Sequence, residues 1–233
     1  MSQVVSLTFF RFDTALSRAW ALWMMGAARG PLARTPDIGF WKLCGSGGGE
    51  GFTPRINIDT IAILATWPDA QIAKERTETA PIYQKYRAKA SEVWTVFMTT
   101  DTARGKWSGQ TPFAVSNTAE TAGMGVLTRA TIKPSIMAQF WKRVPRISDR
   151  IGSDPHVLFK IGIGEAPLMQ QITFSIWPDA KSMSDFAHTG AHADAIRAVR
   201  DEGWFREELY ARFTLLSDSG TWGGTSPLNG LRP

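Results

Sequence analysis

The sequence predicts an α+β fold in which two βαββαβ halves pack into one pseudo-symmetric, dimeric-type α/β barrel. Three observations carry this expectation. The tetrapeptide WPDA occurs twice, at Trp67–Ala70 and Trp177–Ala180. Its flanks recur in the same order: GFWKL around Lys42 and VLFKI around Lys160, GGGE (47–50) and GIGE (162–165), EVWTVF (92–97) and ELYARF (208–213), RGKWSG around Trp107 and SGTWGG around Trp222. The offset drifts from 110 at the WPDA pair to 118 at the Lys pair, as loop insertions would cause. Residues 109–125, GQTPFAVSNTAETAGMG, are rich in small and turn-forming residues and lack periodicity, which marks a linker. The chain therefore divides into a first half (1–110), a linker (111–125), a second half (126–224) and a tail (225–233), each half near the common domain size.

Each element has its own signal. An apolar, β-branched run opens each half, VVSLTFFRF (4–12) and VLTRATI (126–132). A helix follows. In the first half its most apolar stretch is Trp20–Ala28, far shorter than the roughly 20 residues that span a bilayer. In the second half Ile136, Phe140 and Val144 lie four apart, with Met137 and Trp141 beside them, and make one apolar face. A second strand is expected at 39–43 and 157–163, and a third ending at the WPDA tryptophan. Pro at the first helical position and Asp in the first turn then start a second helix, and a fourth strand closes the half. This is the ferredoxin-like split motif. Two such halves packed sheet on sheet would cover each other's open faces and leave a ligand cavity between them. The glycine-rich stretch 45–51 reads as a turn: no Lys-Ser/Thr follows it, and Glu50 stands where a dinucleotide fingerprint needs glycine.

Composition narrows the function. With 43% hydrophobic and 20% charged residues the chain is neither disordered nor collagen-like. The net charge of +5 is spread out, with no basic run longer than Lys142-Arg143, so no nucleic-acid partner is expected. A single cysteine, Cys44, excludes an internal disulfide and any Cys-based zinc or iron–sulfur centre. The start, MSQVVSLTFFRFD, has no basic region followed by an apolar core, so a cytoplasmic protein, peripheral at the inner membrane, is expected. Ten Trp and 13 Phe against 3 Tyr suit a site for something large, flat or apolar.

Only three histidines are present, His156, His188 and His192. His188 and His192 lie four apart, on one face if the segment is helical; Gly190 between them leaves a helix start near Ala191 as the alternative. Ile196 and Val199 continue the His192 face and Arg200 lies beside it. Such a histidine is either a satisfied core residue or an axial haem ligand with an arginine on a propionate. The first half has Thr79 or Ala80 at the matching position, so the histidine is not part of the shared scaffold. A paired-histidine metal site would need Asp185 or Asp194 as third ligand, and Asp194 falls off the His192 face. Glu207 and Glu208 read as a solvated helix face.

Six motifs then carry a family resemblance: LARTPDIGFWKLCGSGGGEGFTP (32–54), ILATWPDA, TARGKWSG (102–109), LFKIGIGEAPL (158–168), TFSIWPDA and HADAIRAVRDEGWFREELYARF (192–213). From about Val5 to Gly224 the chain resembles the spheroidene monooxygenase family, acyclic carotenoid 2-ketolases of purple phototrophic bacteria. The resemblance implies haem b (iron), dioxygen and a ferredoxin-type electron donor. It also implies hydroxylation at C-2 of a linear carotenoid, then a second hydroxylation to a geminal diol that loses water to a ketone. It places His192 as catalytic iron ligand and Arg200, then Arg197, on the propionates, with His188 and His156 behind. Cys44, matched to Gly162, is not expected to supply a thiolate. The competing readings are a non-catalytic haem-binding or haem-trafficking protein of the same fold and a cofactor-free barrel for apolar ligands.

Overall fold

The structure, a computed structural model, describes residues 2–47, 56–116, 123–141, 156–166, 168–188 and 203–231. The first half runs β1 (Val4–Arg11), α1 (Ala15–Ala27), α2 (Arg29–Ala33), β2 (Trp41–Gly47), β3 (Ile56–Trp67), α3 (Ala70–Thr79), α4 (Pro81–Arg87) and β4 (Glu92–Gly105). The second runs β5 (Met124–Ile132), a 3-10 turn (Pro134–Ile136) continuing helically to residue 141, β6 (Phe159–Gly164), β7 (Gln170–Trp177), α5 (Ala180–His188) and β8 (Phe205–Gly220). Every pairing between these strands is antiparallel, and they close a barrel in the order β1-β3-β2-β6-β7-β5-β8-β4. Each half contributes the same order, β4-β1-β3-β2 and β8-β5-β7-β6.

The halves do not simply lie face to face. Their edges pair, at Gly45–Gly164 and Ser46–Ile163 between β2 and β6, and from Trp94–Gly220 to Gly105–Leu209 between β4 and β8. Closure leaves no sheet edge to protect. It also corrects the expected cavity: eight strands enclose room for side chains, and side chains fill it. Phe9 stacks on Trp94 at 5.6 Å, Trp94 meets Phe159 at 4.7 Å, and Phe174 and Trp222 complete the cluster around Phe9. Leu7, Cys44, Leu64, Met98, Leu127 and Phe213 pack around these rings, all buried.

Outside the barrel, helices α1–α4 cover the first-half sheet, burying Phe10, Ile61, Ile63, Ala65 and Phe97. Trp67 and Trp177 end β3 and β7 at equivalent places, 1% and 2% exposed. The Trp67 indole donates to Ser6 Oγ (2.8 Å) and the Trp177 indole to Ser175 Oγ (2.9 Å). Both helices start two residues later than expected, so the aspartates stand just before them. Asp69 is the N-cap of α3 and accepts from the Ile72 amide at 2.8 Å; Asp179 precedes α5 and accepts from the Ser182 amide at 2.7 Å.

The two halves share a strand order, but the sequence flanks slip on one strand. Lys42 lies opposite Leu64, whose side chain is in the lumen, whereas Lys160 lies opposite Ser175, between the lumen residues Phe174 and Ile176. Counted from the two strand-end tryptophans, Trp41 matches Lys160, Leu43 matches Gly162, and Cys44 matches Ile163 rather than Gly162. In a strand a one-residue slip changes the face, so the similarity of GFWKL to VLFKI misaligned the two lysines.

Both barrel ends carry the same clamp. β4 and β8 each end in a glycine, Gly105 (φ 99°) and Gly220 (φ 83°), where a Cβ would stand 2.1 Å from the Glu208 and Val93 carbonyl oxygens. Each then turns into a short hairpin bridged at Trp107–Gln110 or Trp222–Thr225. Arg11 lies over Trp222 at 4.1 Å and pairs with Glu92 at 2.7 Å; Glu92 also accepts from the Gly224 amide (2.8 Å) and the Thr221 hydroxyl (3.1 Å). At the other end Arg129 faces Trp107 at 5.8 Å and pairs with Glu207, which accepts from the Ser108 (2.9 Å) and Gly109 (2.7 Å) amides. Trp107 donates to Glu165 (2.6 Å), which holds Lys42 at 2.8 Å. Glu207 and Glu208 are thus strand residues of β8, and Glu207 works inside a clamp rather than on a solvated helix. The partner of Glu92 in the repeat is Glu207, one place before the Glu208 that the sequence flanks align.

Two expectations follow from these contacts. Trp67→Ala or Trp177→Ala should cost about 3–5 kcal/mol, the range for losing a buried tryptophan, read by urea unfolding; a loss under about 1 kcal/mol would contradict the burial. Burial pushes the Glu92 and Glu207 carboxyls up, but the hairpin amides first, then the Thr221 hydroxyl for Glu92 and the neighbouring arginine for both, hold them below the ordinary value of 4.5. A carboxylate held low stabilises the fold fully above its unfolded pKa and loses that contribution as pH falls through the folded value. Urea midpoints taken from about pH 7 to about pH 3 should fall on the acid side, and Glu207→Gln should flatten that limb.

Candidate cofactor and substrate site

His192, Arg197, Arg200 and Asp194 lie outside the described residues. His188 is the last residue of α5, and His156 is an exposed turn residue shortly before β6. Asp185, the alternative third ligand, pairs with Lys181 along α5 at 2.6 Å. Among the described residues no three His, Cys, Asp or Glu side chains are grouped to hold a metal ion. Cys44 is fully buried in the lumen, where burial first and the Glu165 charge second push its thiol well above the ordinary range. It is a neutral core thiol.

What the described residues do show is a difference between the two outer sheet faces. β1 is buried on both sides from Val4 to Phe10. β5 alternates: Gly125, Leu127 and Arg129 are buried in the lumen, while Met124, Val126, Thr128 and Ala130 are half-buried on the outside. Across the strands, Gly162, Thr173, Thr128 and Tyr210 form one outward row. Lys160, Ser175, Val126 and Arg212 form the next. At the matching first-half places stand Leu43, Ile63 and Thr8, with Phe10 one row on, all buried. The second half keeps a threonine at Thr128 but has Gly162, Thr173 and Ala130 where the first has Leu43, Ile63 and Phe10.

This makes a floor of small side chains about 14 Å wide at the usual strand spacing. Aromatic contacts bound it at both ends. Phe186 of α5 packs on Trp177 at 5.1 Å. At the other end Phe140 packs on Trp204 (6.2 Å) and Phe205 (6.3 Å), and the Trp141 indole donates to the Leu168 carbonyl at 3.2 Å. Such a floor suits a flat, mostly apolar group: small residues let a plane approach the backbone, and the hydroxyls of Thr128, Thr173 and Tyr210 offer polar contacts. Lys160 and Arg212, at the two ends of the adjoining row, place cations where an anionic substituent of such a group would need them. Haem, a planar group with two carboxylates, fits this donor set. The floor was missed at the level of sequence although its signal is there: VVSLTFFRF puts Phe10 on its outer face where VLTRATI puts Ala130.

The comparisons with known proteins agree with this frame. Spheroidene monooxygenase of Cereibacter sphaeroides is 46% identical over 229 residues, covering 97% of this chain and 71% of the relative. Spheroidene monooxygenase of Rhodobacter capsulatus is 47% identical over 229 residues, covering 97% and 95%. A crystal structure of an aldoxime dehydratase in complex with butyraldoxime matches at a TM-score of 0.64 with 8% identity, covering 98% of this chain and 84% of that one, a likeness of fold alone. No protein-family model matches. On the identity to two relatives over nearly its whole length, the chain belongs to the spheroidene monooxygenase family.

Proposed function

We propose that this chain is a haem-dependent monooxygenase that hydroxylates, and then ketolates, C-2 of an acyclic carotenoid such as spheroidene. One atom of dioxygen enters the C–H bond, and the other leaves as water with two electrons from a ferredoxin-type donor and two protons. A second insertion at the same carbon gives a geminal diol, which loses water to the ketone. The observation that carries this reading is the 46–47% identity to spheroidene monooxygenases over 97% of the chain. Peripheral contact with the inner membrane belongs to the same reading, since a long polyene is held in the bilayer; among the described residues no helix is long and apolar enough to cross one.

Haem b, when bound, supplies the oxygen chemistry. His192 ligates its iron, and Arg200, with Arg197 second, pairs with the propionates. Support comes from the place of His192 in HADAIRAVR, within the last of the family-like motifs, and from Thr79 or Ala80 at the matching first-half position. The cleared second-half face supports the same placement: Ala130, Thr173 and Gly162 make room where the first half has Phe10, Ile63 and Leu43. We read the two halves as copies of one ferredoxin-like unit, on their shared strand order, with the second copy specialised for the cofactor.

Two experiments test this. Haem-reconstituted His192→Ala should lose its native Soret position and its carotenoid turnover, while His188→Ala and His156→Ala keep both; an unchanged spectrum in His192→Ala with loss in another would move the ligand. Restoring the bulk of the first half, with Ala130→Phe and Thr173→Ile, should cut haem uptake at least roughly tenfold at an unchanged urea midpoint, because the first half folds with those residues at those places. Haem-loaded protein that never turns over carotenoid with reduced ferredoxin would leave the haem-binding or haem-trafficking reading.

A further inference from the structure

A helix on a protein surface normally turns one apolar stripe inward and a polar one outward; α1 turns an apolar stripe both ways. Its inner side is accounted for. Ala21 and Met24 are buried, and Trp20 packs on Phe12 (6.1 Å) and Tyr86 (5.4 Å). A Thr14–Ser17 capping box fixes its start. Its outer side carries Leu16, Ala19, Leu22, Trp23, Gly26 and Ala27, all exposed and none charged. Leu16 is 85% exposed, Trp23 66% and Leu22 55%, and these three are the most exposed large apolar side chains on α1.

Charge surrounds this stripe with one dominant sign. Between residues 13 and 34 there are three arginines, Arg18, Arg29 and Arg34, and one acid, Asp13. Arg18 is tied to the Phe12 carbonyl near the start of the helix, and Arg29, exposed, sits just past its end with its Nε on the Met25 carbonyl. With 13 residues α1 is too short to cross a bilayer. An apolar face with a tryptophan and leucines, flanked by arginines, has the make-up of a helix lying in the plane of an anionic membrane surface.

We propose that the outer face of α1, centred on Leu16, Leu22 and Trp23, is the surface by which this protein docks on an anionic lipid bilayer. The inference deepens the membrane contact in the function proposed above by naming the element that makes it. The apolar residues enter the boundary between headgroups and chains, and Arg18, Arg29 and Arg34 meet lipid phosphates.

The test reads binding alone, on carotenoid-free vesicles, so its result stands apart from the substrate reading. Purified holoprotein is sedimented with phosphatidylcholine vesicles with and without phosphatidylglycerol. Binding is expected on the anionic vesicles and should weaken with salt. Leu16→Ser with Trp23→Ser should lower the partition coefficient at least roughly tenfold, with unchanged circular dichroism and urea midpoint because both side chains are exposed; Leu22→Ser provides an independent variant. Arg29→Glu should weaken binding to the phosphatidylglycerol vesicles selectively. Vesicle binding untouched by the serine variants overturns the proposal. So does a wild type that ignores anionic vesicles, or that forms a dimer which these substitutions abolish, since a second copy would then be the occupant.

Discussion

Eight antiparallel strands, once closed, leave a lumen that side chains can fill completely, and here Phe9, Trp94, Phe159, Phe174 and Trp222 fill it. Everything else in the structure answers to that packing. The rings tie both halves to one core, because Phe9 and Trp94 come from the first copy and Phe159, Phe174 and Trp222 from the second. Neither half can bury its inner face without the other. With these rings in the lumen, the described residues that leave room for a flat group are those of the outer second-half face.

The two outer faces have diverged accordingly. The first copy keeps a bulky outer face of Phe10, Ile61 and Ile63 under α1–α4, and so supplies stability. The second half gives up that bulk at Ala130, Thr173 and Gly162. Burial of charge follows the same asymmetry. Arg11 keeps a third of its side chain exposed over Trp222, whereas Arg129 is 1% exposed and held by Glu207. A buried guanidinium is tolerated only when it is well paired, and the amides of Ser108 and Gly109 on Glu207 hold that carboxylate in its charged form.

Much of this was legible in the sequence where side-chain identity reports directly on position. Trp67 and Trp177 announced the strand ends because a large indole before Pro-Asp suits one place, the last buried residue before a capped helix. The hairpin tryptophans Trp107 and Trp222 were legible for the same reason. What failed did so for physical reasons. Lys42 and Lys160 were matched by local similarity, but a strand has period two and the slip put them on opposite faces. Glu207 and Glu208 were assigned to a helix because adjacent acids carry no mark of the long β8 they belong to; their register appears only when Arg129 and the hairpin amides are placed. The lumen was expected to be a cavity because two sheets packed face to face leave space between them, and the sequence does not report that rings from both halves meet there. The cleared face was written in VLTRATI, but it becomes a signal only when set against its buried twin.

The outer face of α1 answers to a different constraint. Every residue that α1 contributes to folding is on its inner side, against Phe12 and Tyr86, and the first-half sheet beneath it is already buried on both faces. Leu16, Leu22 and Trp23 therefore add little to the core, and leaving them in water gains nothing. In a chain whose net charge of +5 would make a charged outer helix face easy to build, an uncharged stripe set among arginines is accounted for by a partner that is apolar inside and anionic at its surface. In the proposed function that division gives each half a task for its outer face: the first half meets the phase in which a polyene resides, and the second offers the floor on which a flat cofactor would lie.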